Sequence, residues 1–274
     1  DPTVKKLEAM AAAMFGKEAG LFVVSGTMAN QVAIMALTQP GDEVLVGEKS
    51  HIFNLEAGGL AAISGVQSRV IPTDEKLFDP SIIESLIRPR GVQSPRTSVL
   101  CLENTYDLNR GIPITPEHQL TLADLAHKHG LAVYLDGARI FNAAVALRAP
   151  LTEFARGIDA LQFCLTKGLA APFGSLLLGT KEFIDRARWV RQRLGGGMRQ
   201  AGFMAAAGIV ALETMIDRMA EDHANAKRLA QGLAAIDESL ANPDNTLTNI
   251  VYVEFAAFGL TAEQVAAQLL QRGI

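Results

Sequence analysis

Short apolar runs alternate with longer segments of helical periodicity along most of this chain. Strand-like runs lie at 21–24, 43–46, 68–72, 97–102, 131–135, 160–165 and 175–179. Most of them are apolar at consecutive positions, which is typical of parallel strands that helices cover on both faces. The pattern therefore predicts an α/β fold with a mostly parallel sheet and helices on both of its faces.

Helices are predicted in the segments between and after these strands. Met28, Val32 and Met35 recur at the spacing of one helix face, which indicates a helix over 28–38. Amphipathic spacing, first-turn prolines and a glycine stop indicate further helices. These lie at 80–87, 116–129, 219–236 and 261–272.

The pattern of short apolar runs alternating with helical segments changes near residue 215. A long helix is followed there by a strand-like alternating segment at 249–255 and by a second helix. We therefore expect a large domain over 1–215 and a smaller α+β domain over 216–274. The chain stops at Ile274, where a further strand would begin, so the smaller domain is expected to be incomplete.

Composition narrows the class of partner. The 274 residues carry a formal net charge of -4, which gives no basic surface for nucleic acid. Glycine, proline or a charge breaks every apolar run before it reaches membrane length, and no signal-peptide pattern begins the chain. Cys101 and Cys164 match no metal-ligand spacing and suit a reducing compartment. We expect a cytoplasmic protein with no metal, nucleic acid or membrane partner.

Candidate functional residues follow the strands. In an open α/β sheet, ligands bind outside the carboxyl ends of the strands. Polar or conformationally free residues at these ends include Ser25, Gly26, Thr27, His51, Asp136, Arg139 and Lys167. We expect them to converge on one edge of the sheet.

Ser25, Gly26 and Thr27 lie between a strand and a helix. Free N–H groups at a helix N-terminus, the helix dipole and two hydroxyls suit a phosphate group. An ordinary helix cap is the alternative interpretation. The sequence has no Walker motif and no GxGxxG pattern after the first strand, which favours a phosphate compound smaller than a nucleotide.

Three further residues at this edge have both a functional and a structural interpretation. Asp136 suits a cationic ring nitrogen, or it caps the turn before Gly137. Arg139 suits a substrate carboxylate, or it forms a structural ion pair, with Asp136 as the candidate partner. His51 suits stacking on a flat ring or proton transfer, or it is an exposed loop histidine.

Lys167 is the one charged residue between Asp159 and Lys181. Burial favours the neutral form of a lysine, and a neutral amine forms a Schiff base with an aldehyde. A lysine that reaches solvent from a loop is the alternative. A lysine, a strand-end carboxylate and a phosphate turn are together what pyridoxal 5'-phosphate requires. The sequence therefore predicts a pyridoxal-phosphate site around Lys167.

Six ordered segments resemble the low-specificity L-threonine aldolases, fold type I pyridoxal-phosphate enzymes of the aspartate-aminotransferase superfamily. The segments are FVVSGTMANQVA (22–33), GDEVLVGEKSHIF (41–53), CLENT (101–105), YLDGARIFNAAVA (134–146), FCLTKGLAAPFGSLLLG (163–179) and LGGGMRQAGFMAAAGIVAL (194–212). Each is weak alone, whereas all six in this order form a specific pattern. The resemblance implies an aspartate-aminotransferase-like fold over nearly the whole chain.

The resemblance implies roles at the cofactor ring for three residues. Lys167 forms the imine with the cofactor aldehyde, and Asp136 pairs with the pyridinium nitrogen. His51 stacks on the ring and is a candidate for proton transfer at the substrate hydroxyl. All three would contact the cofactor, and Lys167 and His51 would act in catalysis.

The resemblance also implies how the charged ends of cofactor and substrate are held. Gly26 and Thr27, with Ser25 beside them, hold the cofactor phosphate. Arg139 lies at the cofactor and binds the substrate carboxylate. Arg199 resembles a family arginine that reaches a phosphate across a subunit interface.

The implied reaction is retro-aldol cleavage of L-threonine, L-allo-threonine or a related β-hydroxy-α-amino acid to glycine and an aldehyde. The base that removes the β-hydroxyl proton is left open between His51, a water and a phosphate oxygen. The family forms tetramers built from dimers with shared active sites, so a homodimer or homotetramer is implied. Another fold type I lyase, a transaminase and an inactive scaffold with this fold are the alternatives.

Four features depart from the family pattern. A segment like RSDTVT before Asp1 and a carboxylate-binding arginine beyond Ile274 have no counterpart in this chain, which bears on its activity. Tyr106 stands where many members have histidine, and Gln93 lies near a second histidine position. These two differences bear on aldehyde preference and on rate.

Overall fold

The computed structural model describes residues 1–73 and 77–274, and it forms one seven-stranded sheet from them. The strands are β1 (Ala19–Val23), β2 (Glu43–Gly47), β3 (Gln67–Ile71), β4 (Thr97–Glu103), β5 (Ala132–Asp136), β6 (Ala160–Cys164) and β7 (Ser175–Gly179). Each strand matches one of the predicted apolar runs, because helices bury both faces of most of the sheet.

The helices within the same residues are α1 (Pro2–Phe15), α2 (Gly26–Leu37), α3 (His51–Asn54), α4 (Gly59–Ala62), α5 (Pro80–Leu86), α6 (Pro116–Lys128), α7 (Ile140–Leu147), α8 (Leu151–Phe154), α9 (Lys181–Arg193), α10 (Gly202–Thr214), α11 (Met219–Ile236) and α12 (Ala262–Gln271). All five predicted helices are confirmed. Side-chain caps on Ser25, Thr115 and Thr261 begin α2, α6 and α12. No helix in this described part is long and apolar enough to span a membrane.

The strand order is β1-β7-β6-β5-β4-β2-β3. Strand β7 pairs antiparallel with both neighbours, and the other six strands point in one direction. The carboxyl ends of these six strands therefore meet at one edge of the sheet. The register places Asp136 beside Glu103 on one side and beside Gln162 on the other. The prediction of a mostly parallel sheet is confirmed.

Two hydrophobic cores lie on opposite faces of the sheet. One includes residues of α1, α6, α7, α8 and α10, and the other includes residues of α2 and α9. Successive strand residues alternate between them: Val44 and Val46 belong to one core and Leu45 to the other. This alternation explains why the strands are apolar at consecutive positions.

The strand predicted over 249–255 is wrong. These residues adopt irregular structure and pair with no strand of residues 1–73 or 77–274. Loop contacts hold the segment instead. Thr248 Oγ1 donates to the Gly111 carbonyl at 2.9 Å, and the Glu254 N–H donates to the Leu240 carbonyl at 2.9 Å. The alternation in the sequence cannot produce a strand without a partner edge. The division of the chain near residue 215 stays a prediction.

Candidate active site

A cavity of about 140 Å³ opens at the carboxyl ends of β5 and β6. Helices α2 and α3 and the loop after β6 contribute to its walls. The lining residues are Gly26, Thr27, Asn30, His51, Glu56, Asp136, Ala138, Gln162, Cys164, Thr166 and Lys167. The structure thus brings five predicted site residues together, namely Gly26, Thr27, His51, Asp136 and Lys167.

Asp136, the last residue of β5, is almost completely buried. Its carboxylate accepts from Asn30 Nδ2 at 2.8 Å, from Gln162 Nε2 at 2.5 Å and from the Ala138 N–H at 3.1 Å. All three donors are neutral, and within residues 1–73 and 77–274 no ion pair reaches Asp136. Because a buried carboxylate is costly without a positive partner, the site is arranged to receive a cation.

Asn30, on the first turns of α2, joins two buried carboxylates. Its Nδ2 donates to Asp136 Oδ2 and, at 2.6 Å, to Glu56 Oε1, while its Oδ1 accepts from the Tyr134 hydroxyl at 2.5 Å. Burial, with the charge of Asp136, raises the pKa of Tyr134, which keeps that hydroxyl a donor. Every polar group of the Asn30 side chain is therefore engaged, and its orientation is fixed.

His51, the first residue of α3, lies at the cavity with about a third of its side chain exposed. Its Nδ1 is 3.1 Å from Glu56 Oε1, and its backbone N–H donates to Glu103 Oε2 at 2.7 Å. With Nδ1 as the donor to Glu56, Nε2 is the nitrogen left for a ligand. His51, Glu56 and Asp136 each offer one atom within 4.8 Å of the others, close enough to share one cation.

The start of α2 supplies the phosphate candidate. Ser25 is the N-cap, and its Oγ accepts from the Met28 N–H at 3.1 Å, so the capping interpretation holds for this residue. Gly26 and Thr27 line the cavity at the first turn, whose N–H groups have no partner within the helix. A Cβ on Gly26 would lie 2.8 Å from Cys164 Sγ, so glycine permits the helix end to approach β6.

Lys167 lies in the loop 165–174 that joins β6 to β7. The Leu165 N–H donates to the Gly174 carbonyl at 3.0 Å, and the Ala170 N–H donates to the Lys167 carbonyl at 2.8 Å. Gly174 has a φ of +91°, and a Cβ there would collide with the Phe22 ring, so this turn requires glycine. The loop presents the half-buried Lys167 side chain to the cavity.

Arg139 and Lys167 meet at one carboxylate oxygen. Arg139 Nη1 donates to Asp107 Oδ2, and Lys167 Nζ lies 3.8 Å from the same atom. The structural ion pair of Arg139 therefore exists, but the suggestion of Asp136 as its partner is wrong. Asp136 is held by three neutral donors, whereas the loop after β4 carries Asp107 to the arginine. Burial lowers the pKa of Arg139.

Glu103, at the end of β4, is a second buried carboxyl beside Asp136. Burial, followed by the negative charge of Asp136, raises the pKa of Glu103 well above its ordinary value. Its two oxygens accept from the backbone N–H groups of His51, at 2.7 Å, and of Asp107, at 3.0 Å. Glu103 thereby connects the segment that carries His51 to the loop that carries Asp107.

Arg199 lies apart from these residues. It is exposed in the segment before α10 and lines a separate cavity of about 410 Å³ with Arg188 and Arg191. The residues that line this second cavity include none of those around Lys167. Within one copy of the chain, Arg199 is therefore not brought to the predicted phosphate site.

Tyr106 and Gln93, two of the four departures from the family pattern, also lie outside the cavity lining. Tyr106 is fully buried, and its hydroxyl accepts from the Lys49 N–H at 2.8 Å and lies 2.8 Å from Thr73 Oγ1. Gln93 is exposed in the loop between α5 and β4. In this structure Tyr106 joins loops at the strand ends rather than lining the cavity.

Four residues of the site are absent from the sequence-based predictions, namely Asn30, Glu56, Asp107 and Gln162. Asn30 and Gln162 interrupt apolar segments, and a polar residue at a buried position is a signal for them. Glu56 and Asp107 lie in polar loops, where a carboxylate does not stand out. Their roles emerge only from their contacts.

The cavity residues could together hold a phosphorylated pyridine aldehyde. Asp136 offers an uncompensated carboxylate to a protonated ring nitrogen, and Lys167 offers an amine to an aldehyde. Gly26 and Thr27 offer a helix N-terminus to a phosphate. These are the three functions that the sequence analysis predicted for one site.

Comparison with known proteins gives one family. The model of the beta-eliminating lyase family matches residues 1–256. Low-specificity L-threonine aldolase 1 of Arabidopsis thaliana is 39% identical over 279 residues, which cover 100% of this chain and 78% of that protein. The low specificity L-threonine aldolase of Escherichia coli strain K12 is 39% identical over 255 residues, which cover 92% of this chain and 74% of that protein.

Solved structures share the architecture. The threonine aldolase of Leishmania major superposes with a TM-score of 0.72 at 21% sequence identity, over 85% of this chain and 68% of that chain. At this identity the likeness concerns the fold alone. The two chains share this fold, and the predicted fold class, a mostly parallel sheet with helices on both faces, is confirmed.

Proposed function

The chain belongs to the beta-eliminating lyase family, and from this membership we propose that it is an aldehyde-lyase of the threonine aldolase type. Its substrate is L-threonine, L-allo-threonine or a related β-hydroxy-α-amino acid, and its products are glycine and an aldehyde. The relatives at 39% identity are named for this activity, and they align with nearly the whole chain.

The observation that carries the proposal is the environment of Asp136. It is a buried carboxylate held by three neutral donors, and it shares a cavity with Lys167 and the first turn of α2. A cationic heteroaromatic ring with an aldehyde and a phosphate satisfies all three features at once. Pyridoxal 5'-phosphate is therefore the cofactor that we propose.

When bound, this cofactor supplies an electron sink for the pair released as the substrate Cα–Cβ bond breaks. Lys167 would hold the aldehyde carbon through Nζ, Asp136 would keep the ring nitrogen protonated, and Gly26 and Thr27 would bind the phosphate through their N–H groups. Ser25 supports this binding indirectly, because it caps α2.

His51 and Arg139 act on the substrate in this proposal. Glu56 holds His51 Nδ1, so that Nε2 is available to take the proton from the substrate β-hydroxyl. Arg139 binds the substrate carboxylate with its guanidinium fork, which orients the breaking bond. Lys167 would hold the cofactor aldehyde again once glycine has left.

The test uses the full chain supplied with pyridoxal 5'-phosphate and measures products formed from L-threonine. We expect glycine and acetaldehyde in equal amounts and a visible absorbance band that changes when glycine is added. Lys167→Ala abolishes the borohydride-trapped attachment of the cofactor, because no amine remains to bind the aldehyde. Lys181→Ala, which removes an exposed lysine paired with Asp185, is the matched control and retains the attachment.

Other products would overturn the assignment. A keto acid formed by amino-group transfer would identify a transaminase, and a keto acid formed with ammonia would identify a β-eliminating enzyme. A folded protein with no absorbance band would identify a scaffold. Cofactor still trapped on the Lys167→Ala protein would contradict the role of that lysine.

We also propose a homodimer or homotetramer with shared active sites, in which Arg199 serves the phosphate site of a partner subunit. Arg199 is exposed and lies apart from the Lys167 cavity, so a contribution to the phosphate site would come from another copy. For the cell compartment we propose the cytoplasm, since Cys101 and Cys164 are both free and buried.

A further inference from the structure

The loop after β4 places the carboxylate of Asp107 against Arg139 and Lys167. In the proposed function, these two residues bind the substrate carboxylate and the cofactor aldehyde instead. Arg139 Nη1 donates to Asp107 Oδ2, and Lys167 Nζ lies 3.8 Å from that oxygen. The Asp107 side chain is only 14% exposed, so water competes weakly for these contacts. The side chain of Asp107 thus binds Arg139, the residue to which the proposed function assigns the substrate carboxylate.

Three further contacts hold Asp107 in this place. Its N–H donates to Glu103 Oε1 at 3.0 Å, and its Oδ1 accepts from Thr105 Oγ1 at 3.0 Å. Its carbonyl accepts from the Tyr252 hydroxyl at 3.3 Å. These bonds fix the backbone and one carboxylate oxygen, and they leave Oδ2 for Arg139 and Lys167.

We propose that Asp107 occupies the carboxylate site of Arg139 in the free protein, so that an amino acid binds by displacing it. A carboxylate on a guanidinium fork is the same contact whether the chain or a ligand supplies it. The inference rests on the proposed function, in which Arg139 receives the substrate carboxylate. Asp107 is then a positioning residue that sets the affinity for the amino acid.

The burial of Arg139 gives this exchange a physical reason. Its side chain is only 22% exposed, and a desolvated cation without a counter-charge is costly. Asp107 supplies the counter-charge while no ligand is present, and the ligand carboxylate supplies it afterwards. The free energy spent in breaking the Asp107 contact is subtracted from the affinity for the ligand.

The test compares Asp107→Asn with the unchanged chain, both supplied with pyridoxal 5'-phosphate. Glycine affinity is measured by isothermal titration calorimetry, and KM and kcat are measured with L-threonine. We expect glycine to bind about tenfold more tightly and KM to fall, with a smaller change in kcat, because the amide lacks the charge that holds Arg139. Asp185→Asn, at an exposed ion pair, is the matched control and leaves both values unchanged.

A second pair of variants locates the effect at Arg139. In an Arg139→Gln background, Asp107→Asn should no longer change glycine affinity, because the contact is already absent. Asp107→Ser repeats the test with a side chain that retains a hydroxyl for Thr105.

Three outcomes overturn the inference: unchanged or weaker glycine binding in both Asp107 variants, an equal gain without Arg139, or no glycine binding by any protein of the set. A chain that binds glycine but leaves L-threonine intact would contradict the proposed function alone.

Discussion

Glu103 and Asp136 end neighbouring strands, and the pairing register places the two carboxyl groups side by side in the interior. Their surroundings differ. Asp136 accepts from three donors and faces the cavity, whereas Glu103 accepts from two backbone N–H groups and has a raised pKa. Burial raises the pKa of Glu103 because it disfavours the charged carboxylate, and the neighbouring negative charge of Asp136 raises it further.

Replacement of Glu103 by Gln tests this difference through the pH dependence of stability. The pKa of Glu103 is higher in the folded chain than in the unfolded chain. Its contribution to stability is therefore complete below the unfolded pKa and is lost as the pH rises through the folded pKa. We therefore expect the unfolding free energy of the unchanged chain to fall, relative to Glu103→Gln, by about 1.4 kcal/mol for each unit of the pKa difference. Urea unfolding from about pH 4 to about pH 8 measures it.

At the acidic end, Glu103→Gln should be less stable by about 1 kcal/mol, because its amide has one accepting oxygen for two N–H donors. Glu238→Gln, at an exposed position, is the control and should show no pH-dependent difference. A difference between Glu103→Gln and the unchanged chain that stays constant with pH would contradict the raised pKa.

Glu56 is the residue through which His51 is oriented, and a double-variant cycle tests it. Its carboxylate accepts from Asn30 and Gln31 and contacts His51, and a glutamine cannot accept from all three. We expect Glu56→Gln to lower kcat for L-threonine about tenfold and His51→Phe to lower it about a hundredfold. In the His51→Phe protein, Glu56→Gln should have little further effect. Two losses that multiply would show that Glu56 acts independently of His51.

At the scale of elements, the start of α2 and the hairpin loop after β6 form facing parts of the site. Both depend on close packing that glycine permits: Gly26 against Cys164, and Gly174 against Phe22. The helix brings its positive end to the cavity, and the loop brings Lys167. A shift of either element would separate the phosphate site from the lysine.

Gly26→Ala should displace the start of α2, because the added Cβ would lie 2.8 Å from Cys164 Sγ. We expect the Kd for pyridoxal 5'-phosphate, measured by absorbance titration, to rise about tenfold. Adding Cys164→Ala removes the sulfur and should restore most of the affinity. Gly232→Ala in α11, where the new Cβ meets nothing within 4 Å, is the matched control and should not weaken cofactor binding. A loss that persists in the double variant would rule out the steric cause.

At the scale of the whole molecule, the six strands that point in one direction bring the site residues to one edge of the sheet. Arg199, the arginine predicted to bind the phosphate, lines a different cavity. Arg199 is exposed and lines that cavity with Arg188 and Arg191, of which Arg188 pairs with Glu8. The shared site that we propose would account for these positions.

Mixing two inactive variants tests shared sites. Lys167→Ala lacks the lysine, and Arg199→Ala lacks the phosphate contact, so each should be impaired alone. Subunits exchanged under mild denaturant should regain activity, up to about a quarter of that of the unchanged chain, because about half of the dimers are mixed and each mixed dimer contains one complete site of two. Light scattering measures the oligomeric state. A monomeric active protein, or a mixture with no regained activity, would contradict the shared site.

Much of the fold follows from the apolar pattern, because a strand buried on both faces must be apolar at consecutive positions. Alternation of apolar and polar residues misled at 249–255, where no partner edge was available among the described residues. Lys167 and Asp136 were identifiable because each is a polar residue at the end of an apolar run. Their meeting at one cavity follows from the common direction of the strands that carry them.

The sequence by itself determined the seven strands, the edge at which ligands bind and the residue types that suit a pyridoxal-phosphate site. These features depend on the local periodicity of apolar residues and on the residue types at strand ends, and both can be read from neighbouring residues in the sequence. Only the tertiary structure decided that Asn30 joins Asp136 to Glu56, and that Asp107 is the partner of Arg139. Such pairs join residues of different elements, and strand register and loop packing alone bring their atoms into contact.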